Sequence, residues 1–230
     1  HDKYFITFTI SMLYIIGGIG FVVLMDIKRA KRWKKLSANS KLIISTITGL
    51  NLVAFILLWA IEANNPLTLA PMSMGDQALN AWFHATVPRS SGFNSLELSH
   101  MSDASTLVTM ILMFIGGGSL STAGGIKVGT FIIVVLSVIT FLRRSEELRI
   151  FNHSVAKATS FKALAVVSIT AILIFMGLFS LLLLEPNHHF LDLLFEAVSA
   201  ACTVGLSRGI TGELQPASLF ILMLLMFAGR

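Results

Sequence analysis

The sequence predicts an all-α polytopic membrane protein, and three observations predict it. Of its 230 residues, 55% are hydrophobic and only 13% charged, about half the charge of an ordinary soluble domain. Mean hydropathy is +0.81, and the apolar residues come in runs near the roughly 20 that a hydrocarbon layer about 30 Å thick requires. Finally, Thr86-Val87-Pro88-Arg89-Ser90-Ser91-Gly92-Phe93 and Ser199-Ala200-Ala201-Cys202-Thr203-Val204-Gly205-Leu206 each follow a short apolar segment and lie between longer ones. That layout is helix, re-entrant half-helix, loop and helix, twice over. Irregular backbone at membrane depth is tolerated only where protein buries it or where it lines a wet cavity. The chain therefore reads as helix–pore loop–helix pseudo-repeats around a central ion pore.

The first span runs from about Phe5 to Met25, and its Gly17, Gly18 and Gly20 permit close helix contact. Lys28, Arg29, Lys31, Arg32, Lys34, Lys35 and Lys41 follow, with no acid among them. Basic loops stay inside, so residues 27–41 are expected in the cytoplasm, with Trp33 at the headgroups. The second span, about Leu42 to Ile61, heads outward and ends at Glu62 and Asn64-Asn65-Pro66. Asp76 is the expected N-cap of a short helix over Gln77 to Val87, too short to cross.

The third span, from near Ala104 to Leu142, is too long for one straight crossing. Its middle, residues 116–125, holds five glycines in ten positions. Each glycine is about 1 kcal/mol worse than alanine in a helix, so two half-helices joined by an intramembrane loop are expected. Broken helices of this kind mark transport sites or gates. Arg143 and Arg144 open a second cytoplasmic loop, to residue 162. The fourth span, about Ala163 to Leu184, exits at Glu185-Pro186-Asn187. A second short helix, Phe190 to Cys202, leads into a loop from Thr203 to Gly212, and the last span opens after Pro216. The filter loops then face outside. The four regions are 1–40 (closing helix of an upstream repeat plus basic loop), 41–145 (one repeat), 146–162 (cytoplasmic loop) and 163–230 (a second repeat, truncated). His1 at one end and Arg230 inside an apolar run at the other suggest a piece of a longer protein.

Net charge is +5. In a soluble protein that would raise nucleic acid as a partner, but here the cations lie between apolar spans and set orientation. The single cysteine, Cys202, excludes an internal disulfide and a cysteine metal cluster.

With Gly92 placed over Gly205, Trp82 meets Phe195, Thr86 meets Ser199, and Phe93 meets Leu206. A cation crossing the membrane must exchange its water for other oxygens, and rings of backbone carbonyls can supply them. Glycine lets a loop turn its carbonyls inward. A helix C-terminus, carrying about half a negative charge, favours a cation. Main-chain oxygens of Ser90, Ser91, Gly92, Phe93, Thr203, Val204, Gly205 and Leu206 are thus the expected ligands. Arg89 is expected to pair with Glu97 or Glu196 and so support the filter. A polar partner is needed for Arg230, and it is expected to hold the loop Ser119 to Gly125 as a barrier.

These residues resemble the Trk/Ktr/HKT superfamily of potassium transporters over essentially the whole chain. Val87 to Asn94 looks like its third filter loop and Thr203 to Leu206 like its fourth. The stretch Gly116, Gly117, Gly118, Ser119, Leu120, Ser121, Thr122, Ala123, Gly124, Gly125, Ile126 and Lys127 resembles its gating loop, and Phe227 to Arg230 its arginine-bearing last helix. The resemblance implies K⁺ uptake across the plasma membrane, with K⁺ held at Gly92 and Gly205. It further implies Na⁺ stimulation, no organic cofactor in this subunit, a homodimer in the lipid bilayer, and a cytosolic RCK-type nucleotide-binding regulatory subunit. Leu206 stands where the TVGYG signature of tetrameric potassium channels has tyrosine, which implies a less rigid filter.

Two other readings compete. A polytopic membrane enzyme would use His84, His153 or His188 with an acid, but no polar cluster converges at one depth. A secondary transporter for an anion or organic solute would aim half-helix N-termini at its site, whereas here the C-termini point inward.

Overall fold

The computed structural model describes residues 2–89, 92–121, 123–144, 149–150 and 153–230. The elements are α1 (Asp2–Ile19), α2 (Phe21–Ala30), α3 (Ala38–Glu62), α4 (Met74–Thr86), α5 (Asp103–Phe114), α6 (Val128–Leu142), α7 (Lys157–Leu184), α8 (Phe190–Ala201) and α9 (Pro216–Ala228). A two-residue antiparallel ladder, β1 (Arg149–Ile150) with β2 (His153–Ser154), interrupts the otherwise helical chain. Among the described residues two helices are long and apolar enough to cross a membrane, Ala38–Glu62 and Lys157–Leu184, and the pair Tyr4–Ile19 and Phe21–Ala30 passes the same criterion only as one unit, bent by 92° at Gly20.

That bend falls inside the expected first span of about Phe5 to Met25 and divides it. Gly20 has φ +94, a conformation no helix interior accommodates, and the chain turns there. The expected break in the third span is present. α5 and α6 are separate helices flanking the glycine stretch.

Helix starts follow local chemistry. Ser37, Ser73 and Ser102 are N-caps, and their hydroxyls accept from the amides of Ser40, Asp76 and Ser105. Asp76 is therefore not the N-cap of α4. It stands three residues on, and the Ser73 hydroxyl donates to its carboxylate at 2.6 Å. The Ser73 hydroxyl thus accepts from the Asp76 amide and donates to its carboxylate, and this cap starts the helix at Met74.

Helix, short helix, loop and helix recur as α3–α4–α5 and α7–α8–α9. The principal core lies between them and gathers Phe83, Ala85 and Val87 from the end of α4. It adds Phe195, Val198 and Cys202 from the end of α8, Val204 and Leu206 beyond it, and Met110 and Met113 of α5. In a bilayer, packing of this kind supplies association where water-driven burial cannot. Both short helices thus have rigid, buried ends. Where α7 meets α9, a Cβ on Gly177 would lie 2.4 Å from Leu225 Cδ1. An added methyl there would require the Leu225 side chain to shift.

Candidate ion-binding site

Each loop is held by its own short helix. After α8, the amides of Cys202, Thr203 and Val204 donate to the carbonyls of Val198, Ala200 and Ser199 at 2.9, 3.0 and 2.9 Å. This tight turn requires the left-handed region at Thr203 (φ +51), and Gly205 follows with φ +85. After α4, Gly92 takes φ +66. Side chains are strained in that region and glycine is not. The two glycines meet each other. A Cβ on Gly92 would lie 3.5 Å from the Gly205 carbonyl oxygen and 3.8 Å from that of Val204, and one on Gly205 would lie 3.4 Å from Gly92 Cα. Positions matched by the internal alignment are therefore neighbours, with both glycines exposed. Phe93 is exposed, while Val204 and Leu206 are buried. Ser90 and Ser91 lie outside the described residues.

The first loop is further tied by His84. Its ring is buried on α4 and its Nε2 accepts the Leu96 amide at 3.1 Å. His84 is thus occupied in structure. His188 sits 3.9 Å from Glu185. No group of three or more metal-ligating side chains occurs among the described residues.

The glycine stretch forms a closed loop beneath the second filter segment. Its ends are zipped. The Gly116 amide donates to Ile126 at 2.9 Å, Ile126 to Phe114 at 3.0 Å, and Val128 to Gly117 at 2.9 Å. A Cβ on Gly124 would stand 2.0 Å from Thr203 Oγ1 and 2.2 Å from the Cys202 carbonyl oxygen, so the loop abuts the end of α8. Gly116, Gly117 and Gly118 are buried, Ser119 is exposed, and Ser121 Oγ is buried without a hydrogen-bond partner. Gly125 takes φ +70. Thr122 lies outside the described residues. Lys127 Nζ donates to the Ala123 carbonyl at 2.6 Å and fastens the loop. Arg230 lines a cavity of about 260 Å³ together with Gly125, Ala201 and Gly229. It makes no hydrogen bond to the loop among the described residues.

Arg89 does not pair with the acids named for it. Its Nε and Nη2 are buried without hydrogen-bond partners, and Glu97 instead lies 3.6 Å from His100. Glu196 accepts from Ser207 Oγ at 2.5 Å, Thr211 Oγ1 at 2.8 Å and the Arg208 amide at 3.2 Å. The physical reason is proximity. Those three donors belong to the loop that α8 feeds, and they satisfy a carboxylate that Arg89 would have had to reach from another element. Glu196 thus braces the second loop without Arg89.

Sequence reasoning missed Arg208. Its Nε donates to Asp192 at 2.6 Å in a pair only 10% and 23% exposed, and its Nη1 reaches Thr106 of α5. The signal was present: Asp192 and Glu196 are four apart, on one face of α8, and one cation follows in the loop.

A second missed feature is a repeated carboxylate clasp. Glu62, ending α3 and 1% exposed, accepts from the amide and hydroxyl of Ser102, the N-cap of α5, at 2.9 and 2.7 Å. Thr68 and Asn65 also donate to it, at 2.5 and 2.7 Å. Glu185, following α7, accepts from the amide of Gln215, the N-cap of α9, and from Ser218 Oγ, each at 2.7 Å. When Gly92 is placed over Gly205, Ser102 falls over Gln215 and Ser105 over Ser218. The two units are thus closed at one end by the same device.

Residues 1–230 match the TrkH family, described as cation transport protein. This chain belongs to that family. Ktr system potassium uptake protein B of Bacillus subtilis (strain 168) is 40% identical over 98% of this chain and 50% of its own length. The protein of the same name from Vibrio alginolyticus is 36% identical over 98% and 50%. The potassium/sodium uptake protein NtpJ of Enterococcus hirae is 32% identical over 98% and 51%. The chain spans about half the length of these curated relatives. The crystal structure of the potassium transporter TrkH from Vibrio parahaemolyticus superposes with a TM-score of 0.81 at 18% identity, over 100% of this chain and 50% of that one. The TrkH fold is therefore shared, and with its apolar helices the chain is a membrane protein of a transport family.

Proposed function

We propose that this chain supplies two loops of a gated, K⁺-selective pore and takes part in potassium uptake across the plasma membrane. The observation that carries this is the contact between Gly92 and Gly205. Both take positive φ, follow short helices, and meet face to face. Main-chain oxygens of residues 90–93 and 203–206 replace the hydration of the ion. The C-terminal ends of α4 and α8 add partial negative charge.

The loop 116–125, fastened by Lys127 and flanked by Arg230, is the gate. Glu196 holds the second filter loop in place through Ser207 and Thr211. Regions 41–145 and 163–230 act as consecutive repeats. Residues 1–40 close an upstream repeat, and 146–162 link the two repeats inside the cell. The basic loops 27–41 and 143–162 face the cytoplasm and the filter loops face outside, as the clustering of cations requires. Relatives named for Ktr systems support a membrane subunit of a multi-component system; in this reading it works as a homodimer with an RCK-type regulatory partner. A relative named for potassium and sodium brings Na⁺ into the reading as a second ion.

The test is growth of a strain lacking potassium uptake, complemented with the full-length protein. Wild type restores growth on limiting K⁺ and Gly205→Ser does not, at equal membrane abundance. Equal growth of the two would remove the filter assignment.

A further inference from the structure

We infer that α2 is an anionic-phospholipid site coupled to the intramembrane loop, an extension that rests on the gate reading only for its coupling. The bend at Gly20 takes α2 through 92° from α1. Asp26 of α2 accepts from the amide and hydroxyl of Ser37 at 3.0 and 2.8 Å, and Ser37 is the N-cap of α3. The far end of α2 therefore stands where a membrane-crossing helix begins. Phe21, Val22 and Met25 are exposed apolar residues of α2, 65%, 44% and 51% accessible, and Val23 alone of the helix is buried.

Lys28 and Arg29 continue the exposed side. With Val22, Met25, Asp26 and Ser37 they line a cavity of about 550 Å³. Trp33 is exposed beyond them. An apolar stretch running into paired cations is the pattern of a helix seated at the headgroup boundary. The one acid there, Asp26, keeps its negative charge while bound to Ser37, so with Lys28 and Arg29 the lining carries two positive charges against one negative and is net positive. The complementary occupant is a phospholipid with an anionic headgroup, its chains against Phe21 and Met25 and its phosphate at Lys28 and Arg29.

The joint between α1 and α2, residues 18–21, grips the loop. The Gly118 amide donates to the Gly18 carbonyl at 2.7 Å, the Phe21 amide to the Leu120 carbonyl at 3.5 Å, and a Cβ on Gly20 would lie 2.3 Å from the Ser119 carbonyl oxygen. Displacement of α2 by a bound lipid therefore moves residues 118–120.

The full-length protein is reconstituted in vesicles of phosphatidylcholine alone or with phosphatidylglycerol. Retained phosphatidylglycerol is counted by native mass spectrometry, and Rb⁺ flux is measured in parallel. Each basic side chain at an anionic surface contributes about five-fold in affinity, so Lys28→Gln with Arg29→Gln is expected to weaken retention about 25-fold. Arg143→Gln with Arg144→Gln removes equal charge at another cytoplasmic helix end, one that does not line this cavity, and weakens retention several-fold less than the first pair. Wild-type flux changes with phosphatidylglycerol, and the first double variant loses that dependence. Inorganic phosphate or glycerol phosphate, added in solution, reproduces neither effect.

Equal retention by wild type and the first variant, or equal weakening by both variants, overturns the site. Competition by soluble phosphate overturns the lipid as occupant, and selective capture of a protein partner at Lys28 and Arg29 does the same. Retention lost without any change in lipid-dependent flux overturns the coupling. Absence of Rb⁺ flux under every condition, with retention as expected, contradicts the pore reading and leaves the lipid site standing.

Discussion

Replacement of Gly205 by alanine separates a filter role from a packing role. Gly205 has φ +85, and a side chain in that region costs about 1–2 kcal/mol. The added methyl meets Gly92 Cα at 3.4 Å, an ordinary contact, so no clash adds to the strain. Against a total stability of roughly 5–15 kcal/mol, the fold survives. The expected fall in Tm is about 2–8 °C for a chain of this size. The chain relieves the strain by rotating φ toward negative values, which swings the adjacent carbonyls off the ion path. A loss of only about 1.4 kcal/mol of stabilisation at the crossing point is ten-fold in rate, so Rb⁺ flux into proteoliposomes should fall ten-fold or more. Gly92→Ala should act alike. Because the two positions touch, the double variant should be non-additive by about 0.5–3 kcal/mol. Wild-type flux in Gly205→Ala, alongside the expected fall in Tm, would refute the reasoning.

Four further perturbations follow from the same geometry. Excision of residues 117–124 should raise Rb⁺ flux per molecule inserted, at a cost in Tm because it removes the hydrogen bonds through Gly117, Gly118 and Ala123; unchanged flux would mean that the loop is no barrier. Glu62→Ala leaves the amide and hydroxyl of Ser102 and the hydroxyl of Thr68 without an acceptor; about 3 kcal/mol of stability should be lost, read as a drop in Tm in detergent. The Gln215 amide and the Ser218 hydroxyl hold the Glu185 carboxyl below its ordinary value. The contribution of this depressed group is present above the unfolded carboxyl pKa of about 4.3 and is lost as pH falls through its lower folded value, so Glu185→Gln should lower Tm at pH 7 and flatten its acid limb. Gly229→Ala puts a methyl 1.8 Å from the Ala201 carbonyl oxygen and should cost about 1–3 kcal/mol by overpacking, seen as lower Tm.

The sequence was most legible where chemistry is local. Hydropathy placed α3 and α7, the glycine stretch marked the break between α5 and α6, and the pairing of Gly92 with Gly205 is visible as an internal match before any geometry is known. Partners across elements were not legible. Arg89 and Glu196 share a filter in sequence, yet Glu196 is satisfied by hydroxyls one loop away, and Arg208, which the pattern did not single out, takes Asp192. Glu62 and Glu185 read as helix ends, and their clasping of Ser102 and Gln215 depends on helix pairs meeting at one end. The bend at Gly20 was hidden because three nearby glycines suit close packing as well as a turn.

The most direct measurement is the anomalous difference density of Rb⁺ or Cs⁺ in crystals of the full-length protein. The account expects a peak within coordinating distance of main-chain oxygens near Gly92 and Gly205, in particular the Val204 and Gly205 carbonyls. No peak there, with ions resolved elsewhere along a continuous tunnel, would contradict it.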